Sequence, residues 1–171
     1  MAYSEATHAL EVVIEHALTV SAENGGSTPQ AEIDALLDAF GVAVTEGAEI
    51  LMVRSPLEKT AQDGSPIVEL LEVQGNIGRA WLCLTGNAHA AAFTQPPRTV
   101  RTAVMSLKTL LSMAEDLGIE EVLFNPDRVP NLSLGRRELR EVRRRAERCA
   151  QQKREQKLKK AGTNRTPGWI M

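Results

Sequence analysis

Leu117-Gly118-Ile119-Glu120-Glu121-Val122-Leu123-Phe124-Asn125-Pro126 is the stretch on which the reading of the fold turns. Upstream of it, Ala103, Leu107, Leu110, Ala114 and Leu117 recur at helical spacing, which predicts a helix over Val100–Leu117 closed by Gly118. Ile119 to Phe124 is an apolar run of strand length. Asn125-Pro126 stops it, because a proline pushes the residue before it out of the helical region. Leu132-Ser133-Leu134 is a further short extended piece. A helix that feeds straight into a strand implies a sheet with helices laid on it. The expected class is α+β, a small mixed sheet of four or five strands. The near alternative is α/β, because a helix between two strands can serve as a right-handed crossover.

Working outward, Ile50-Leu51-Met52-Val53 reads as a strand ended by Ser55-Pro56. Glu58 to Ser65 is polar and carries the turn signal Asp63-Gly64. Ile67–Val73 and Ala80–Thr85 read as strands separated by a turn at Gly75-Asn76-Ile77-Gly78. A short fourth strand is expected at Ala90–Thr94, before Gln95-Pro96-Pro97 ends the sheet region. Two helices precede the sheet. In the first, about Glu5 to Ala22, the apolar stripe is Leu10, Val13, Ile14, Ala17 and Leu18, with Ser4 as its N-cap. Asn24-Gly25-Gly26-Ser27 breaks it. The second starts at Thr28-Pro29, buries Ile33, Leu36, Leu37 and Phe40, and is expected to end with Gly41 as its C′ residue.

Charge divides the chain unevenly. Residues Arg136 to Arg165 hold 13 of the 20 Lys+Arg and 4 of the 22 Asp+Glu, a net of +9 that leaves −11 on everything else. From Arg136 to about Lys160 the pattern is helical, with one narrow apolar seam of Leu139, Val142, Ala146 and Cys149 that fades after Ala150. Some 25 residues at about 1.5 Å each reach nearly 40 Å. The first half has a seam with which to dock, and the second half has none. Pairs such as Arg137–Glu141, Glu141–Arg145 and Glu155–Lys159 relieve little of the repulsion among the remaining cations. The expected organisation is therefore a globular part over residues 1–135, its sheet region at 50–135, and a basic helical arm and tail over 136–171.

Composition bounds the rest. The chain has 171 residues, is 43% hydrophobic and only 4% aromatic, so its core must be aliphatic. Cys83 and Cys149 lie far apart, which favours two free thiols and a reducing compartment. Cys83, inside an apolar strand, reads as inert core. No apolar run approaches the roughly 20 residues of a membrane span, so no membrane partner is expected and the expected location is cytoplasmic. No catalytic motif is present: Gly-x-Ser-x-Gly, Walker A and Gly-x-Gly-x-x-Gly are all missing. His8, His16 and His89 are the only histidines, and Glu5-x-x-His8 lacks the second copy that a carboxylate metal site needs. No catalytic, cofactor or metal residue is expected.

The stretch from about Ile50 to Val142 resembles the N-terminal domain of the SseB family. Gly78-Arg79-Ala80-Trp81-Leu82 is a strand after a glycine turn; Phe93-Thr94 is similar to the family's Phe-Thr-Ser element. A helix, the strand into Asn125-Pro126, and Leu132-Ser133-Leu134 before Arg137-Glu138-Leu139 follow in the family's order. Gln95 stands where serine is usual and Asp127 where glycine is usual. The resemblance covers roughly half of the chain. It implies an α+β interaction module and supplies no active site.

These readings converge on a non-enzymatic adaptor that uses the basic helix to bind an acidic protein partner or a second copy of itself. The alternative is a nucleic-acid- or ribosome-associated protein gripping phosphate through the same cations. The expected contact residues are Arg143, Arg144, Arg145, Arg148, Lys153, Arg154, Lys157, Lys159 and Lys160, joined by Trp169 and Ile170 of the apolar tail. No aromatic lies between Phe124 and Trp169, so the helix cannot stack on unpaired bases.

Overall fold

The computed structural model describes residues 4–93, 101–127 and 131–163. Ser4 caps the first helix, α1 (Glu5–Glu23), by accepting from the Thr7 amide at 3.2 Å. Thr7 is itself fully buried. Its hydroxyl donates to the Glu49 carbonyl at 2.8 Å and accepts from the Glu49 amide at 3.1 Å, which pins the start of α1 to the first strand, β1 (Glu49–Val53). Between them, α2 (Gln30–Thr45) ends on Gly47, whose φ of +76° lets the Ala48 amide return to the Ala43 carbonyl.

The sheet has the order β6-β1-β5-β7-β8, with β4 lying beside β5 off that path. Here β4 is Glu72–Gln74, β5 Arg79–Leu84, β6 Thr102–Ser106, β7 Glu121–Phe124 and β8 Leu132–Gly135. Only β5 and β7 run parallel, and every other pairing is antiparallel. The class is therefore α+β with a mixed sheet of six strands, and the α/β alternative falls away. The polar stretch after Ser55 folds on its own as a two-stranded hairpin of β2 (Lys59–Thr60) and β3 (Pro66–Ile67). The expected strand Ile67–Val73 is thus two short pieces, and Leu70 between them makes an isolated bridge to Arg54 just past β1.

Two expectations reverse. The run predicted as one helix over Val100–Leu117 is strand β6 followed by α4 (Leu107–Asp116), and Val100 lies outside the described residues. β6 covers the free edge of β1 along its whole length, from Glu49↔Ser106 to Val53↔Thr102. Ser106 then caps α4, accepting from the Thr109 amide at 3.1 Å. Sheet pairing overrides the helical spacing of Ala103. The expected strand at Ala90–Thr94 is instead largely within helix α3 (Asn87–Phe93), and Thr94 lies outside the described residues.

One sheet face carries Ile50, Met52, Trp81, Cys83, Val122 and Phe124 into a core shared with α1, α2, α4 and the last helix, α5 (Arg136–Thr163). Phe40 of α2 meets Phe124 edge-on at 5.1 Å. Leu139, Val142 and Ala146 of α5 are buried as well. The globular part therefore extends past residue 135, and the first four turns of α5 belong to it. On the opposite face, Leu51, Val53, Leu82 and Leu84 form a smaller cluster with Leu71, Val73 and Leu123.

Gly41 does not end α2. It lies buried inside the helix, where α5 crosses. A Cβ there would come within 2.9 Å of Arg145 Cβ and 3.1 Å of the Arg145 carbonyl carbon. Alanine at 41 gains about 1 kcal/mol of helix propensity, but forcing the two helices apart costs roughly 1–3 kcal/mol. Gly41→Ala is expected to lower stability, by up to about 2 kcal/mol, in urea melts. A more stable variant would show that the helices part without cost.

Candidate protein-interaction surface

α5 is one continuous helix with two characters. Its first half is fastened to the body at three levels. Arg136 donates to the Gly118 carbonyl at 2.9 Å, at the carbonyl end of α4. Arg143 pairs with Glu115 of α4 and lies 3.4 Å from Glu147. Arg145 reaches across to α2, with Asp34 and Asp38 each at 2.9 Å, and binds Glu141 of its own helix at 2.9 Å. Arg145 also donates to the Asp34 carbonyl at 2.8 Å. Burial works against its charge, but Glu141, Asp34 and Asp38 outweigh burial and hold the guanidinium above its ordinary value.

Arg145 is therefore committed to its own chain and is withdrawn from any partner surface. Arg144 and Arg148 are exposed and lie 3.8 and 3.3 Å from Glu141, so one carboxylate serves three arginines. Lys153 lies 3.3 Å from Glu46 at the end of α2, a further ion pair joining α5 to the body.

Past that point the character changes. Every residue from Gln151 to Gly162 is exposed. Among them are Lys153, Arg154, Lys157, Lys159 and Lys160 against the single acid Glu155, which accepts from Gln151 at 3.1 Å. No carboxylate among the described residues pairs with Arg154 or Lys157. Leu158 is 72% exposed, a large apolar side chain among cations. Some 13 residues at 1.5 Å make this a projecting rod of about 20 Å. Trp169 and Ile170 lie outside the described residues.

A groove of about 630 Å³ runs between the fastened half of α5, α4 and the end of α2. Val44, Leu111, Ala146 and Ala150 line its floor, and Lys108, Arg143, Glu147 and Arg154 supply its charges. No helix is long and apolar enough to cross a membrane among the described residues.

The histidine reading of the sequence missed a second cluster. His89 of α3 is buried, and its Nδ1 lies 3.0 Å from Asp127. Its Nε2 lies 3.4 Å from Glu11 and 3.6 Å from Glu15 of α1. Asn125 sits beside it at φ +52°, accepting from the Thr85 amide at 2.9 Å and donating to the Thr85 hydroxyl at 2.8 Å. These contacts tie α1, α3 and the turn after β7 together. Asp127 lies on the opposite side of the ring from Glu11 and Glu15, and no group of three or more His, Cys, Asp or Glu among the described residues is arranged to hold a metal ion. His89 is 6% exposed, so little of it can meet a substrate. The one sequence signal for the cluster was the i,i+4 pair Glu11 and Glu15 in α1. Cys83 is fully buried, and burial pushes its thiol well up.

Arg145 and Lys153 make a direct contrast. Arg145→Ala leaves three carboxylates facing one another over a half-buried crossing and is expected to cost about 1–2 kcal/mol, discounted for the exposure of Asp34 and Asp38. Lys153→Ala removes one exposed pair and is expected to cost under about 0.5 kcal/mol. Chemical denaturation of both variants checks the order; equal costs would mean that Arg145 does not clamp the crossing.

No family model, no curated protein and no solved structure matches the chain.

Proposed function

We propose that this protein is a non-enzymatic adaptor whose α5 holds out a rigid cationic arm to an acidic surface on a partner protein. One observation carries this reading. The helix spends its inner cations, Lys153 included, on its own body and continues as an exposed rod of about 20 Å, on which four further bases stand against one acid. Arg154 and Lys157, with the neighbouring Lys159 and Lys160, supply the binding charge. A second copy of the chain offers one such acidic surface, since the chain outside 136–165 carries −11. The resemblance of residues 50–142 to the SseB family, an interaction module without an active site, agrees with this reading. Nucleic acid is the less favoured partner: the arm has no aromatic to stack on bases, and Leu158 stands where a phosphate would gain nothing.

The test follows from where the helix is fastened. Deleting from Arg136 would remove Leu139 and Val142 from the core. Deleting 151–171 instead leaves the docked half in place and is expected to yield a folded body with unchanged circular dichroism per helical residue. The full chain, immobilised in nuclease-treated lysate, is expected to retain a partner that elutes as salt rises toward about 0.5 M. The truncated chain, or the full chain with Arg154, Lys157, Lys159 and Lys160 all changed to Glu, is expected to retain it at least about tenfold less. Recovery of the same proteins by all three forms overturns the reading. So does capture that disappears with nuclease treatment, which moves the function to nucleic acid.

A further inference from the structure

β6 is the last strand on its side of the sheet, and the register of its pairing with β1 shows which backbone groups lie along the free edge. The Arg54 amide donates to the Arg101 carbonyl at 2.8 Å, and the Leu107 amide to the Ala48 carbonyl at 2.9 Å. These two bonds bracket the β1–β6 ladder and set its phase. Ala103 and Met105 turn their amides and carbonyls toward β1, so Thr102 and Val104 turn theirs away from it. Among the described residues nothing takes up the outward groups of Thr102 and Val104. Val104 stands opposite Leu51, which places it on the face of the smaller apolar cluster, and it is 41% exposed.

A free edge ordinarily carries a lysine, a proline or a bulge that turns a second strand away. Thr102-Ala103-Val104-Met105-Ser106 has no charge, no proline and no glycine, and its pairing with β1 runs one-to-one without a bulge. The strand also matches its own copy. Set antiparallel about a two-fold axis at Ala103, Thr102 faces Val104 of the second copy, and the outward amides and carbonyls of both residues in both copies all find partners. The small Ala103 meets itself at the centre, where side chains come closest, and the branched Thr and Val pair across the new ladder. An axis at Val104 would instead set Thr102 against Ser106, whose carbonyl already starts α4. A net charge of −2 leaves little long-range repulsion between copies. The uncharged row has nothing to attract a charged peptide in place of a copy.

We propose that this protein pairs with a second copy of itself through β6, the two strands antiparallel about Ala103, so that two six-stranded sheets become one. The contact goes beyond the adaptor reading and does not depend on it, because it uses no residue of α5. Both copies offer the same strand, so the contact closes at two. The pair then carries two α5 arms, and a surface that engages both is held more strongly than by either alone.

Sedimentation velocity of the full chain from about 5 to about 500 µM is expected to show the mass rising from one chain to two. Hydrogen exchange across that range is expected to slow at least about tenfold at the Thr102 and Val104 amides. Val104→Pro removes an outward amide and leaves the bonds to β1 in place, and Val104→Lys sets a charge on the edge at an exposed position. Each is expected to weaken pairing at least about tenfold with unchanged circular dichroism; should the proline variant lose its fold, the lysine variant decides. About 0.5 M salt and deletion of 151–171 are expected to leave the pair intact, since backbone hydrogen bonds between uncharged strands are not screened. The mass of one chain at every concentration overturns the proposal, as does a pair that survives Val104→Lys or that leaves the Thr102 and Val104 amides unprotected. Growth past two copies overturns it too. A pair that dissolves in salt or on deletion of 151–171 moves self-association to the arm, which overturns the β6 contact and leaves the adaptor reading standing.

Discussion

The structure hangs on the crossing of α2 and α5. Gly41 gives up its side chain so that the two backbones touch, and Arg145 closes over the contact with carboxylates from both helices. Thr45, one turn after Gly41, bonds back to the Gly41 carbonyl at 2.9 Å and lies 3.3 Å from the Ala146 carbonyl, adding a polar stitch beside the same contact. With the crossing in place, Leu139 and Val142 complete the helical face of the core. The direction in which the rest of α5 leaves the body is then settled, and so is which of its cations are spent and which remain.

Electrostatics here is a matter of allocation. A charged side chain that finds carboxylates at a partly buried crossing contributes to the fold, while one that finds only water does little for stability and is free to act elsewhere. Along α5 the change occurs near Lys153, about two turns beyond Ala146, the last buried apolar residue of the helix among the described residues. The order has a physical reason: packing against the body ends first, and the long Lys153 side chain still reaches Glu46 at the end of α2 beyond it.

How far the sequence foretold this can be judged element by element. The strands Ile50–Val53, Ala80–Thr85 and Ile119–Phe124 were legible because each is a short apolar run between strong turn signals, and the α+β class followed from them. β6 was not, because Ala103 continues a helical spacing that belongs to Leu107 and Leu110, and only the need of β1 for an edge partner selects extended backbone there. Gly41 misled for a related reason: a glycine that permits a close helix crossing reads the same, in sequence, as one that ends a helix. At the site, the excess of positive charge was plain. Its partition was hidden, because Asp34, Asp38 and Glu46 come near α5 only through contacts more than 100 residues apart in the chain.

The fastening of α5 also sets the entropy of whatever it does. A basic tail of the same composition on a flexible linker would have to surrender its backbone freedom each time it met a surface, at about 1–2 kcal/mol per ordered residue. Here the folding of the core has already imposed helical order on the root of the rod, and elongation from an existing helix needs no fresh nucleus. On the adaptor reading, the cationic half would meet a partner as a shape, its charges spaced before contact, and encounter would be governed by geometry and field more than by the search of a disordered chain for its bound form.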